Sequence, residues 1–286
     1  MRHARDERRS GVVVELSTRD ETLLRVLGRF RISRTADLAH LVFPGVRRDT
    51  VAARLRRLFD AGYIDVTAAD RASENVYSLG PKGKTWMSDH GHAVGRVPRD
   101  RDHHLAVVRA WGDVACAVHA LPGVRLALVR SDWELADRRA SLAVVPDLFI
   151  EFSVDVPGGH IPVRLCVEVD MGSEAPAVWA RKLAAYEAAR ESPSGLLGWR
   201  DFGLALVTGG NRGRRGRLAR LISAAWSGWW IAWSERDEVR SCLRTVVEAV
   251  RAPLTGSPSG KGWGDDVSAS TVGTFPAGPV RASGSE

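Results

Sequence analysis

Cysteine is scarce in this chain: Cys116, Cys166 and Cys242 are the three present in 286 residues, and none stands in C-x-x-C spacing. That excludes a zinc ribbon and a disulfide framework as the basis of the fold. Long apolar runs are missing too. None approaches the roughly 18–20 residues a bilayer span requires, and the opening residues are polar and arginine-rich where a signal peptide has its apolar core. A cytoplasmic protein without membrane contact is expected.

Positive charge is present, and unevenly placed. The chain carries +7 overall. Residues 1–104 hold 20 Lys+Arg against 14 Asp+Glu, a net +6; residues 105–286 hold 21 against 20, a net +1. A first third that meets a polyanion would look like this, and so would a solvated basic surface. The length allows two modest domains with real cores.

Residues 1–16 read as a disordered lead-in. Thr18 with Glu21 three positions on is a capping box, so a helix opens here with Leu23, Leu24, Val26 and Leu27 as its apolar stripe. A shorter helix follows from about Thr35 to Val42. The third runs from about Val46 to Ala61 and buries Val51, Leu55, Leu58 and Phe59, with Gly62 as its stop. Its other side presents Thr50, Arg54 and Arg57, with Arg47 and Arg48 in the first turn. Residues 63–66 and 76–79 then form a hairpin around a tip carrying Arg71. Three helices and a hairpin make the winged helix-turn-helix plan, spanning residues 17–91, in which the third helix enters the major groove of double-stranded DNA. Arginines at the helix start read guanine edges, whereas Arg71 and Lys82 suit phosphates. A protein-binding winged helix is the other reading. Residues 92–101 serve as linker.

From 102 to 252 the pattern turns to mixed α/β: a helix over residues 105–120, strands at 124–129, 142–152 and 161–170, a helix over 174–191, and strands at 204–208 and 229–233. His103 and His104, adjacent on a helix, suit capping or packing better than a shared metal. Trp226, Trp229, Trp230 and Trp233 either stack bases or fill a core. The run Asn211 to Arg217 leads into a further helix and either touches nucleic-acid backbone or lies in solvent. Residues 253–286 read as a disordered tail.

Within this region Val144-Val145-Pro146-Asp147 precedes one strand, and Glu168 and Asp170 share one face of the next because side chains alternate. Burying such carboxylates is costly unless cations or donors meet them. Three carboxylates, Asp147, Glu168 and Asp170, suit Mg²⁺ as an oxygen-seeking ion. Ordinary salt bridges, Glu168 with Arg164 for instance, are the alternative. Glu134 is a further carboxylate, better placed in solvent.

Pro146-Asp147, then Glu168-x-Asp170, then Lys182 on a helix resembles the PD-(D/E)xK nuclease core, with Asp170 standing where that signature has lysine and Lys182 as its replacement. Across residues 18–210, Thr18-Arg19-Asp20, Arg54 to Leu58, Tyr77 to Gly83, His104 to Val107, Pro146-Asp147 and Glu168 to Glu174 resemble the replication-relaxation family of plasmids and mobile elements. The family usually has a basic residue where Met171 stands. The resemblance implies an α+β protein: a winged helix-turn-helix followed by a restriction-endonuclease-like domain. It further implies a Mg²⁺-dependent site at Asp147, Glu168, Asp170 and Lys182, and a role in plasmid replication or DNA relaxation. A second copy of the chain and replication or mobilisation proteins are candidate partners. A transcriptional regulator with an inactive second domain is the alternative function.

Overall fold

The computed structural model describes residues 7–67, 74–92, 94, 95, 98, 100–209 and 212–252. The hairpin tip with Arg71, the tail 253–286 and Asn211 lie outside the described residues. Two compact units divide the chain at Gly112 and Asp113, and the division falls inside one helix rather than at the linker expected at 92–101. The described residues form an α+β protein with eight α-helices and two sheets. None of those helices is long and apolar enough to cross a membrane.

In the first unit α1 spans Thr18–Phe30, β1 Ser33–Arg34, α2 Thr35–Val42, α3 Arg48–Asp60, β2 Ile64–Thr67, β3 Val76–Leu79 and α4 Pro81–Asp89. The cap of α1 differs from the expected Thr18–Glu21 box by one register. Ser17 is the N-cap, its amide donating to Asp20 Oδ2 at 2.7 Å while its hydroxyl accepts from the Asp20 amide. Leu23, Leu27, Leu38, Leu55 and Leu58 are fully buried and make the core of the three helices. Gly62, at φ +85°, takes the left-handed turn that ends α3 and starts β2. The sheet order is β1-β3-β2, all antiparallel.

The lead-in is packed where it is described. Val14 is buried, Arg8 donates to the carbonyls of Phe59 and Ile64, and the Arg9 amide donates to Asp60 Oδ1 at 3.0 Å. Short polar segments without periodicity read as disordered from composition, yet here their backbone and arginines bind the end of α3.

Helix α5, Arg101–His119, spans the division. In the second unit β4 is Val124–Ser131, β5 Leu148–Val156, β6 Gly159–Asp170, α6 Pro176–Glu191, β7 Gly203–Thr208, α7 Arg212–Ala225, β8 Trp230–Trp233 and α8 Arg236–Arg251. The sheet order follows the chain, β4 to β8. β4, β5 and β6 form an antiparallel meander, while β6, β7 and β8 run parallel through the crossovers α6 and α7. Residues 163–170 of β6 are all buried, as expected of a strand covered on both faces. Cys166, Leu204 and Leu206 pack under Trp179, Leu183 and Tyr186 of α6 and Ile222 of α7, and α8 packs on β8 and β5. Trp226, Trp229, Trp230 and Trp233 are all buried, so they fill this core rather than face bases.

Candidate functional site

Asp147 stands at the entry to β5 and Glu168 near the exit of β6. The antiparallel register that pairs Leu148 with Val167 sets Asp147 beside Glu168, and Asp147 Oδ2 accepts from the Val169 amide at 2.7 Å. Helix α6 then crosses above. Lys182 and Tyr186 lie one turn apart on its inner face. Lys182 Nζ donates to Glu168 Oε2 at 2.8 Å, and Tyr186 donates its phenol to Glu168 Oε1 at 2.5 Å. Glu174, ahead of α6, takes the same ammonium at 2.9 Å. Three of the four expected residues, Asp147, Glu168 and Lys182, therefore meet. Tyr186 and Glu174 join them. Tyr186 was legible in principle, four positions after Lys182 on one helix face.

Burial pushes the Glu168 carboxyl up to about 7, the charge on Asp147 adds to the rise, and Lys182 and Tyr186 draw it partly back. Burial works against the Lys182 charge, but Glu168 and Glu174 more than offset it and hold the ammonium above its ordinary value. Burial and the carboxylate of Glu168 together push the Tyr186 phenol well up. The cluster thus has more negative than positive charge to accommodate in a place poor in water.

Asp170 goes elsewhere. Its buried carboxylate is held bidentately by Arg214 in the first turn of α7, one bond measuring 2.6 Å, and Arg214 donates as well to the Glu174 carbonyl at 2.7 Å. Asp170 is therefore not among the residues that meet around Glu168. Among the described residues no group of three His, Cys, Asp or Glu side chains is placed to hold a metal ion. Asp147 and Glu168 are the two acids that could hold Mg²⁺, an ion that keeps most of its waters and needs only one or two carboxylates.

Glu134 is exposed and caps its own turn, accepting from the Ser131 amide at 2.9 Å. Arg164 pairs with Glu151 at 2.7 Å rather than with Glu168. His104 is buried and donates to the Phe30 carbonyl, which is packing, and burial lowers its pKa to about 4. The basic run after residue 211 is helical rather than a loop leading into a helix, and Arg215 within it pairs with Glu238 at 2.8 Å.

In the first unit Arg47, Arg48, Thr50 and Arg57 are exposed on α3 and its N-cap, and Lys82 is exposed at the start of α4. Arg54 departs from that set. It turns inward to Asp20, with Nε 2.8 Å from Oδ1, and donates to the Glu15 carbonyl at 3.0 Å. A helical wheel puts residue 54 beside the outer face, and a buried acid on α1 draws it in.

A mixed α/β unit with an acid pair and lysine at the ends of its interior strands, preceded by a basic helical unit, is the class of protein that these features define. The chain belongs to the replication-relaxation family, whose model matches residues 24–195. No curated protein matches it. Among solved structures the restriction endonuclease FokI aligns with 83% of this chain and 47% of its own, at 12% identity and a TM-score of 0.30. The chain spans about half the length of that enzyme.

Proposed function

We propose that this chain is a DNA-binding protein acting in the replication or relaxation of plasmid or mobile-element DNA. Its first unit is read as a winged helix-turn-helix, with α3 as the groove helix and the β2–β3 hairpin as the wing. Its second is read as a PD-(D/E)xK-like domain that nicks DNA. The observation carrying this reading is the meeting of Asp147, Glu168 and Lys182 where β5, β6 and α6 come together.

Asp147 and Glu168 would hold Mg²⁺, which when bound supplies a water of lowered pKa and neutralises charge on a phosphodiester. Lys182, tethered between Glu168 and Glu174, is placed to offer its ammonium to a phosphate oxygen. Tyr186, one turn along the same helix, holds the other Glu168 oxygen. Incubation with supercoiled plasmid and Mg²⁺ tests this: nicked circles form with the wild type and not with Asp147→Ala. Equal nicking by that variant sinks the assignment.

One observation favours a second reading. Lys182 already pairs with Glu168, and Arg214 with Asp170, so two buried carboxylates have cation partners as they do in a structural network. Under it the protein is a transcriptional regulator whose second unit serves dimerisation or partner binding. It then shifts operator DNA without cutting it, and changes at Glu168 alter stability alone.

A further inference from the structure

Helix α7 begins Arg-Gly-Arg-Arg-Gly-Arg and carries five arginines without an acid. Two of them are committed: Arg214 to Asp170 and Arg215 to Glu238. Arg217 and Arg220 are exposed, stand three residues apart on neighbouring positions of the helix surface, and form no ion pair among the described residues. The row 214, 217, 220 therefore starts at the tip of β6, two residues beyond Glu168, and runs outward along α7.

Gly216 lies next to this row. Glycine is the weakest helix former after proline, so a glycine inside a helix needs a reason. Packing does not provide one here. A Cβ at this position would touch only the far end of Arg220, at 3.9 Å, an ordinary contact. Positive φ does not provide one either, since Gly216 keeps the right-handed backbone of the helix around it. A backbone left bare beside two uncommitted guanidinium groups suits the close approach of something anionic from outside.

We infer that the face of α7 formed by Gly216, Arg217 and Arg220 is a docking strip for the phosphodiester backbone of DNA, leading to the Asp147–Glu168–Lys182 site. It rests on the DNA-binding reading above and gives the second unit its own hold on the substrate. The cations beside the acids, Lys182 and Arg214, are both engaged with carboxylates, so a strip of guanidinium groups alongside supplies what the acids repel.

The test uses the full chain and a linear duplex, with binding measured over a range of salt concentrations. Each side chain that neutralises one phosphate adds about 0.9 to the slope of log K against log salt. Arg217→Ala/Arg220→Ala is therefore expected to flatten the plot by about 2, and Arg244→Ala, which removes an exposed charge from α8, to leave it unchanged. Gly216→Ala is expected to raise the thermal midpoint and weaken binding several-fold. A double variant with the full wild-type slope overturns the strip and leaves the DNA reading intact. So does an equal loss in Arg244→Ala. A Gly216→Ala variant that is more stable and binds unchanged overturns the close approach. A wild type without salt-sensitive affinity overturns the DNA reading, and the strip with it.

Discussion

Arg54 meets Asp20 across 34 residues of sequence, and the carboxylate it holds is the same one that caps α1 through the Ser17 amide. One fully buried acid thus fixes both where α1 starts and how α3 lies against it. Burial opposes its charge, but the Arg54 guanidinium and the Ser17 donors hold the Asp20 carboxyl below the ordinary range.

Two arginines three positions apart on α3 should consequently behave as opposites. Arg54→Ala leaves the Asp20 charge buried, and such losses cost about 3–5 kcal/mol, with the lower end expected because Arg54 is partly wet. Arg57→Ala touches nothing internal and should stay within about 0.5 kcal/mol of wild type, while flattening the salt dependence of DNA binding by about 1. Urea melts and binding titrations separate the two. A stable Arg54→Ala protein would mean that the ion pair contributes little.

At the other end of the chain, Arg214→Ala strands Asp170 in the same way and should lower stability by roughly 3 kcal/mol or more. Asp170→Asn in the same background removes the stranded charge and should recover a good part of that. The double-mutant cycle reads the coupling directly. Independent, additive effects of the two changes would show that the bidentate pair holds nothing together.

Much of this was legible from local pattern. Helices at 18–30, 35–42 and 48–60 follow their apolar stripes, and the strand order around Asp147 and Glu168 follows β-branched runs and turn residues. β1 left no trace because two residues, Ser33 and Arg34, are too short to show alternation. Helix α8 did leave one: Val239, Leu243, Val246 and Val247 recur at i, i+4, i+7 and i+8, all buried. The fates of Arg54 and Asp170 were not legible. Each is decided by a partner 34 or 44 positions away, and strand alternation or a helical wheel reports the face of a side chain, not the charge waiting there.

His104 should govern the acid limb of stability. Its pKa falls from 6.5 to about 4, chiefly through burial, so the folded state favours the neutral ring. The sign follows: this contribution is complete above about 6.5 and is lost as pH falls toward 4, on the order of 3 kcal/mol in all. His104→Gln keeps a donor for the Phe30 carbonyl and cannot take up the proton. Measured from pH 7 to 4, the urea midpoint of the wild type should fall relative to that of the variant. Parallel curves would count against a buried neutral imidazole.

Glu168 should act with the opposite sign over nearly the same pH range, in the second unit. A carboxyl raised from 4.5 to about 7 contributes stability that is full below 4.5 and disappears as pH rises through 7, because the folded state then carries a charge next to Asp147 that the unfolded chain spreads into water. Glu168→Gln removes that titration and should flatten the decline between about pH 4.5 and 7. Magnesium adds a second arm that does not depend on activity. If Asp147 and Glu168 bind it, millimolar Mg²⁺ raises the wild-type thermal midpoint at pH 8, above the Glu168 transition, by an amount that grows with the logarithm of its concentration. Neither Glu168→Gln nor Asp147→Asn should respond in full. A decline over that range that persists in Glu168→Gln would place the titrating group elsewhere. A wild-type midpoint indifferent to Mg²⁺ would leave the acid pair, with Lys182 and Tyr186, as a structural network.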